Sequence, residues 1–358
     1  MLLEYLTEGP RILYTSNKQR FFPKKYHGSA QEICQQVVKE CWNGKFFQVS
    51  TGNFAQFWTR DFGWCVSSLL ELDYEKEVHA TLKYALNRFS RAGKITTTIT
   101  PQGKPYDFPN LAADSLPWLI HAIRKSGFAY YPYKDFLNQQ IQKYAHKIIT
   151  PNTGLVNSDM TFSSMKDFAK RKSACYDNCM VAMLAQDLQG MQLENPFAKY
   201  DYSTLLQRHF WQGEYFYDDL THKNYIAGDA NIFPFITAII KDPKLLEKSL
   251  QAISGAGLDD PFPLKYTASR RHVHFIWQEI AMWNYEGDTI WTHMGPLYIK
   301  LLQQTDKAKA EELKKRYARL IEHHANYLEV FTPHGKPFSS PFYVCDRGML
   351  WAANYLTL

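Results

Sequence analysis

The sequence contains no stretch approaching the roughly 20 apolar residues that a membrane span needs. Its N-terminus meets Glu4 too early for a signal peptide. These two absences predict a cytoplasmic chain without a membrane partner. Cysteine is sparse, with six (Cys34, Cys41, Cys65, Cys175, Cys179 and Cys345) in 358 residues. That is no disulfide scaffold, and the thiols are expected to pack as small hydrophobes. The net charge is +6, but there is no long basic run, and the densest points are residues 170–172 and 270–272. Nucleic acid is therefore not an expected partner. No Gly-rich phosphate loop, GxSxG elbow, HExxH or CxxC is present. His272 and His274 alternate on one face of an extended segment, but a metal site needs more ligands than these. No metal and no cofactor is implied.

Aromatic residues, by contrast, are abundant: 23 Tyr, 23 Phe and 9 Trp make up 15% of the chain. Disordered chains are poor in such residues, so disorder is excluded. The dominant pattern is helix, loop, helix. Residues 29–43 open on Ser29 as N-cap and place Ile33, Val37 and Cys41 on one face. Residues 76–92 align Val78, Leu82, Ala85, Leu86 and Phe89 before Gly93. Further helices are predicted over 114–126, 134–149 and 306–328. Shorter ones are predicted over 60–72, 176–190, 202–210, 230–240, 243–254, 295–304 and 346–356. Residues 94–100 are expected to form a strand or hairpin in a long loop, and 213–218 is a second strand candidate.

About twelve helices without an internal repeat argue against a solenoid. They fit an all-α barrel of six inner and six outer helices, an (α/α)6 architecture with minor β-hairpins. The expected division is an N-terminal extension, residues 1–28, packed on a single barrel domain, residues 29–358. Six long loops, at 45–61, 94–113, 150–176, 211–231, 255–294 and 329–346, would gather at one end. They carry Trp, Tyr, Asp and Glu, a combination that suits a sugar. Rings offer flat apolar faces, and carboxylates accept hydrogen bonds from hydroxyls. Glycoside hydrolysis needs two such carboxyls, one on each side of the scissile bond.

Six short segments stand in order along these loops. They are Trp58-Thr59-Arg60-Asp61; Ala113-Asp114 through Trp118; Met165-Lys166-Asp167, with Asp177 ten residues on; Phe210-Trp211 through Gly228-Asp229; Tyr285-Glu286 through Trp291-Thr292-His293; and Leu328-Glu329-Val330-Phe331. Together they resemble the six-fold α/α-barrel glycoside hydrolase clan. The likeness is nearest to the amylo-α-1,6-glucosidase domain of glycogen-debranching enzymes and to the neutral/alkaline invertases. Phe233 and Phe235 stand where the debranching pattern has Arg and Asn, a departure that bears on specificity.

The resemblance implies an inverting hydrolase acting on a terminal sugar, an α-glucoside, with Asp167 as general acid and Glu329 as general base. Asp159 and Asp177 are rival acids. Substrate-binding roles are implied for Trp58, Arg60, Asp61, Asp114, Trp118, Asp177, Trp211, Asp229, Tyr285, Glu286, Trp291 and His293. The expected partner is a small-molecule or oligosaccharide substrate. Two alternatives stay open. One is a sugar epimerase of the N-acylglucosamine 2-epimerase type on the same barrel, which would give weight to His272, His274 and His293. The other is a carbohydrate-binding barrel without catalysis.

Overall fold

The computed structural model describes residues 2–358, apart from the side chains of Leu2, Leu3, Tyr5 and Ala281. The helices are α1 (Leu2–Phe21), α2 (Ala30–Cys41), α3 (Thr59–Glu71), α4 (Glu75–Ala92), α5 (Ser115–Ser126), α6 (Lys134–Ile148), α7 (Cys175–Leu188), α8 (Tyr202–Phe210), α9 (Gly228–Ile236), α10 (Pro243–Gly255), α11 (Met294–Thr305), α12 (Lys307–His324) and α13 (Ala352–Leu356). Among the described residues none is long and apolar enough to cross a membrane.

A ring closes through the odd-numbered helices from α3 to α13. α3 packs on α5, α5 on α7, α7 on α9, α9 on α11, α11 on α13, and α13 back on α3. The even-numbered helices lie outside: α4 against α3 and α5, α6 against α5, α8 against α7, α10 against α9, α12 against α11, and α2 against α12 and α13. This is an (α/α)6 barrel.

Sequence pattern separates the two rings. Outer helices carry one buried stripe, as in α4, where Val78, Leu82, Ala85, Leu86 and Phe89 are buried together with Thr81. Inner helices are covered on every side: in α7 all residues but Gln186 are buried. Fully burying each Leu or Phe contributes about 1.5–3 kcal/mol, so the double ring is the main source of stability.

Local signals set the ends. Ser29 and Glu32 form a reciprocal capping box at the start of α2. Gly93, at φ 69°, closes α4 in the left-handed region that favours glycine. Gly63 serves close packing, since a Cβ there would come within 2.6 Å of the Trp118 side chain. It lets α3 and α5 approach, which brings Arg60 beside Asp114.

Connections from inner to outer helices are short, for example residues 72–74 and residue 306. Those from outer to inner helices are long: 42–58, 93–114, 149–174, 211–227, 256–293 and 325–351. All six long loops therefore gather at the end of the barrel where the inner helices begin. There β1 (Phe57–Trp58), β2 (Thr98–Ile99) and β3 (Pro105–Tyr106) form a small antiparallel sheet, with Trp58 opposite Thr98. β4 (Ile290–Trp291) pairs with β5 (Val330–Phe331), Trp291 opposite Val330.

Four local expectations differ from the structure. Of residues 94–100 only Thr98–Ile99 is strand, in a hairpin with β3, and the Thr96 and Thr97 hydroxyls bond to the carbonyls of Thr98 in β2 and Tyr106 in β3. Residues 213–218 form no strand, and Phe216 makes only an isolated bridge to Trp211. The helix predicted over 306–328 ends at His324, where Ala325 turns left-handed at φ 50°. The one predicted over 346–356 shrinks to Ala352–Leu356, because Asp346 and its neighbours are drawn into the loops. The N-terminal extension is helical from Leu2 to Phe21. Its helix binds loops: Arg11 donates to the Asn53 carbonyl (3.0 Å), Gln19 to Asp346 (2.9 Å), and Val344 N–H to Ser16 (2.6 Å), while Tyr26 beyond it donates to Glu40 of α2 (2.7 Å).

Candidate active site

The inner helices present chemistry at their first turns. Asp61 lies in the first turn of α3, Asp177 in that of α7 and Asp229 in that of α9. Asp114, His293 and Trp351 occupy the N-cap positions of α5, α11 and α13. A helix N-terminus carries partial positive charge and favours carboxylates there. Between these ends and the loops lies a cavity of about 520 Å³, within the roughly 300–1,000 Å³ of small-molecule sites. Its floor and walls include Trp58, Arg60, Asp61, Trp64, Asp167, Tyr285, Glu286, Trp291, His293, Glu329 and Trp351.

Glu329 enters just before β5, which its pairing with β4 sets beside Trp291. Its Oε2 accepts from Tyr343 Oη (2.5 Å) and Asp346 N–H (2.8 Å), and its Oε1 accepts from Tyr285 Oη. A carboxylate offers about four acceptor positions, so one on Oε1 is left toward the cavity. Burial, and then the charge of Asp346, push the carboxyl up to about 8 despite the three donors.

Asp167 lies on the loop before α7. Arg60 holds both its oxygens, Nη2 to Oδ1 at 3.0 Å and Nη1 to Oδ2 at 3.3 Å, and Ser163 Oγ donates to Oδ1. Arg60 is itself anchored beneath by Asp114, at 2.5 Å from Nε. Asp114 also accepts from Tyr176 Oη, which accepts from Trp118 Nε1, both at 3.1 Å. Glu286 sits behind the acid, and its carboxylate accepts the backbone N–H groups of Asp167 (2.9 Å) and Phe168 (2.7 Å). Burial, followed by the charge of Asp167, pushes Glu286 up to about 8.

Asp61 accepts from Trp351 Nε1 at 3.0 Å, and burial pushes it up to about 7. Trp64 stacks on His293, with ring centroids 4.4 Å apart and planes 6° apart. Burial and then Arg60 hold the imidazole well below its usual range, so it is neutral. Trp64 Nε1 and His293 Nδ1 are buried without a hydrogen-bond partner in the protein. In a folded chain such groups call for a partner from outside it.

The structure brings together Trp58, Arg60, Asp61, Asp167, Tyr285, Glu286, Trp291, His293 and Glu329. It sets the other expected binding residues off the cavity. Asp114 and Trp118 are a layer deeper, behind Arg60. Asp177 is buried beside Arg171 and Ser164. Asp229 is fully buried in an ionic cluster, its carboxylate 3.1 Å from Lys166 and 2.9 Å from Arg171. Trp211 packs against Phe216 on the loop after α8.

Of the rival acids, Asp159 is exposed and Asp177 is covered, so of these three only Asp167 lines the cavity. Lys166 is not a surface neighbour of that acid. It is wholly buried on the side away from the cavity, between Asp218 (3.1 Å) and Asp229. The histidines of the epimerase alternative do not converge: His274 is exposed, and His272 stacks on Tyr225 outside the cavity. Tyr343 and Asp346, both bound up with Glu329, went unread in the sequence. The one signal was their place in the aromatic and acidic stretch 342–346 just after the base.

No family model and no curated protein sequence matches the chain. Solved structures do. A rhamnosidase from Klebsiella oxytoca with rhamnose bound superposes with a TM-score of 0.64 at 10% identity. The match covers 93% of this chain and 65% of that one, so the chain spans just under two thirds of that rhamnosidase. A glycosidase variant in complex with glucose superposes with a TM-score of 0.68 at 9% identity, over 91% of this chain and 95% of the other. A GH63 mannosylglycerate hydrolase from Thermus thermophilus in complex with glucose gives 0.63 at 11% identity, over 92% and 100%. The chain thus has the fold of the six-hairpin glycosidases, the clan that its loop motifs resemble.

Proposed function

We propose that the protein is a glycoside hydrolase that removes a terminal sugar, an α-glucoside, with inversion at the anomeric carbon. The observation that carries this reading is the convergence of two carboxyls from separate loops, Asp167 and Glu329, on one aromatic-walled cavity. Asp167 protonates the departing glycosidic oxygen as the bond to the anomeric carbon breaks. Glu329 takes a proton from the water that forms the new bond on the opposite face. The free acceptor position on Glu329 Oε1 suits a water, and the hold of Arg60 on both oxygens of Asp167 fixes the acid's orientation. Asp61, Trp64 Nε1 and His293 Nδ1 offer one acceptor and two ring nitrogens to the sugar's hydroxyls, while Trp291 and Trp351 offer apolar faces. Glucose bound in two solved structures of this fold supports a sugar of that size.

Catalysis needs a proton on Asp167 and none on Glu329. The test is a panel of α- and β-glycosides assayed with the wild type, Asp167→Asn and Glu329→Gln. Hydrolysis of an α-glucoside that both substitutions abolish is expected. Hydrolysis at an undiminished rate in either one overturns the assignment.

A further inference from the structure

The charged side chains of the cavity lie on its inner part, and its mouth is made differently. Three separate segments form the outer wall: Ile12 and Leu13 from α1, Trp277 and Ile280 from the 3-10 turn Trp277–Met282, and Phe342 from the loop after Glu329. Leu13 is 42% exposed, Trp277 79%, Ile280 75% and Phe342 62%. Single exposed apolar residues are ordinary on a protein surface, but four on the rim of one cavity form a patch that implies an apolar contact. Among the described residues these segments give the wall two polar side chains, Gln278 and Tyr343, and the Tyr343 hydroxyl is already donated to Glu329. A second sugar seated there would bury hydroxyls with almost nothing to bond them, at a cost for each.

We infer that the leaving-group side of this site takes an apolar aglycone, an alkyl or aryl group of about six carbons or more, linked to the sugar held at the carboxylates. The inference rests on the glycosidase reading, because the rim continues the same cavity as Asp167 and Glu329. In the reaction, water adds to the anomeric carbon and the aglycone departs as its alcohol, carrying the proton from Asp167. The outer wall receives that alcohol.

A homologous series of n-alkyl glucosides, methyl to octyl in both anomers and each below its micelle-forming concentration, tests this by two readouts. Binding is followed by tryptophan fluorescence, and kcat/KM by glucose release. Each added methylene is expected to tighten binding about two- to fourfold until the chain outruns the rim. kcat/KM should rise in parallel and exceed that for disaccharides of the same glycone. Trp277→Ala and Phe342→Ala, at exposed positions that leave the core intact, should lower the octyl-to-methyl ratio about fivefold or more.

Hydrolysis without chain-length dependence, or with disaccharides preferred, overturns the aglycone inference and leaves the glycosidase reading standing. Chain-length-dependent binding without hydrolysis overturns the glycosidase reading and leaves the apolar subsite. Binding of the wild type to phosphatidylcholine vesicles that both variants lose, with no chain-length effect, overturns the assignment of the rim.

Discussion

Glu329→Gln separates two effects that one buried carboxyl combines. In the wild type its carboxyl is pushed up to about 8, whereas in an unfolded chain it titrates near 4.5. Between these values the folded protein keeps a proton that the unfolded chain has released. The stabilising contribution is fully present below pH 4.5 and is lost as pH rises through 8. The loss is about 1.4 kcal/mol per pH unit, or about 4 kcal/mol from pH 5 to 8. Glutamine cannot ionise, so this loss vanishes in the variant.

At pH 5 the variant should be the weaker protein. Two donors, Tyr343 Oη and Asp346 N–H, meet on Oε2, and a third, Tyr285 Oη, reaches Oε1. An amide presents one oxygen, so at least one donor is left facing an NH₂ group, at about 1–3 kcal/mol. The stability curves should therefore cross between about pH 6 and 7, with the variant ahead at pH 8. Urea unfolding at unit steps from pH 5 to 8 measures this. Glu286 and Asp61 are also raised, but they are common to both proteins and drop out of the difference. Parallel curves would refute the claim that folding holds a proton on Glu329.

The same proton governs activity. Because the base must be ionised, Tyr343→Phe, which removes a donor to the Glu329 carboxylate, should lower kcat/KM about 10-fold or more. Asp167→Asn should cut kcat about 10²–10⁴-fold while thermal unfolding shows the fold retained. Lys166→Met removes a wholly buried ammonium from Asp218 and Asp229, leaving two carboxylates with Arg171 alone. A loss of about 3–5 kcal/mol by urea unfolding is expected, and a change within about 0.5 kcal/mol would contradict the ionic account of that cluster.

Several features were legible because they are local. The stripe Val78, Leu82, Ala85, Leu86 and Phe89 predicts α4, Ser29 its cap on α2, and loop length the end of the barrel where the site lies. Depth was not legible. Asp61, Asp177 and Asp229 all sit in first turns of inner helices, yet only Asp61 reaches the cavity. Arg171 lies over Asp177 and, with Lys166, over Asp229, and Arg60 covers Asp114. These cations arrive from loops or turns 6 to 63 residues away, which no helical period encodes. Met165-Lys166-Asp167 does not say which of its two charges faces the cavity. In the folded chain Lys166 turns into the protein and Asp167 into the cavity. Tyr343 and Asp346 act on Glu329 across a loop, and α1 escaped notice because Pro10 interrupts its pattern.

The central claim is hydrolysis with inversion by Asp167 and Glu329. The most direct measurement is proton NMR of the sugar first released from the α-glucoside cleaved fastest, recorded before mutarotation. The account predicts the β-anomer as the initial product. Release of the α-anomer would contradict it.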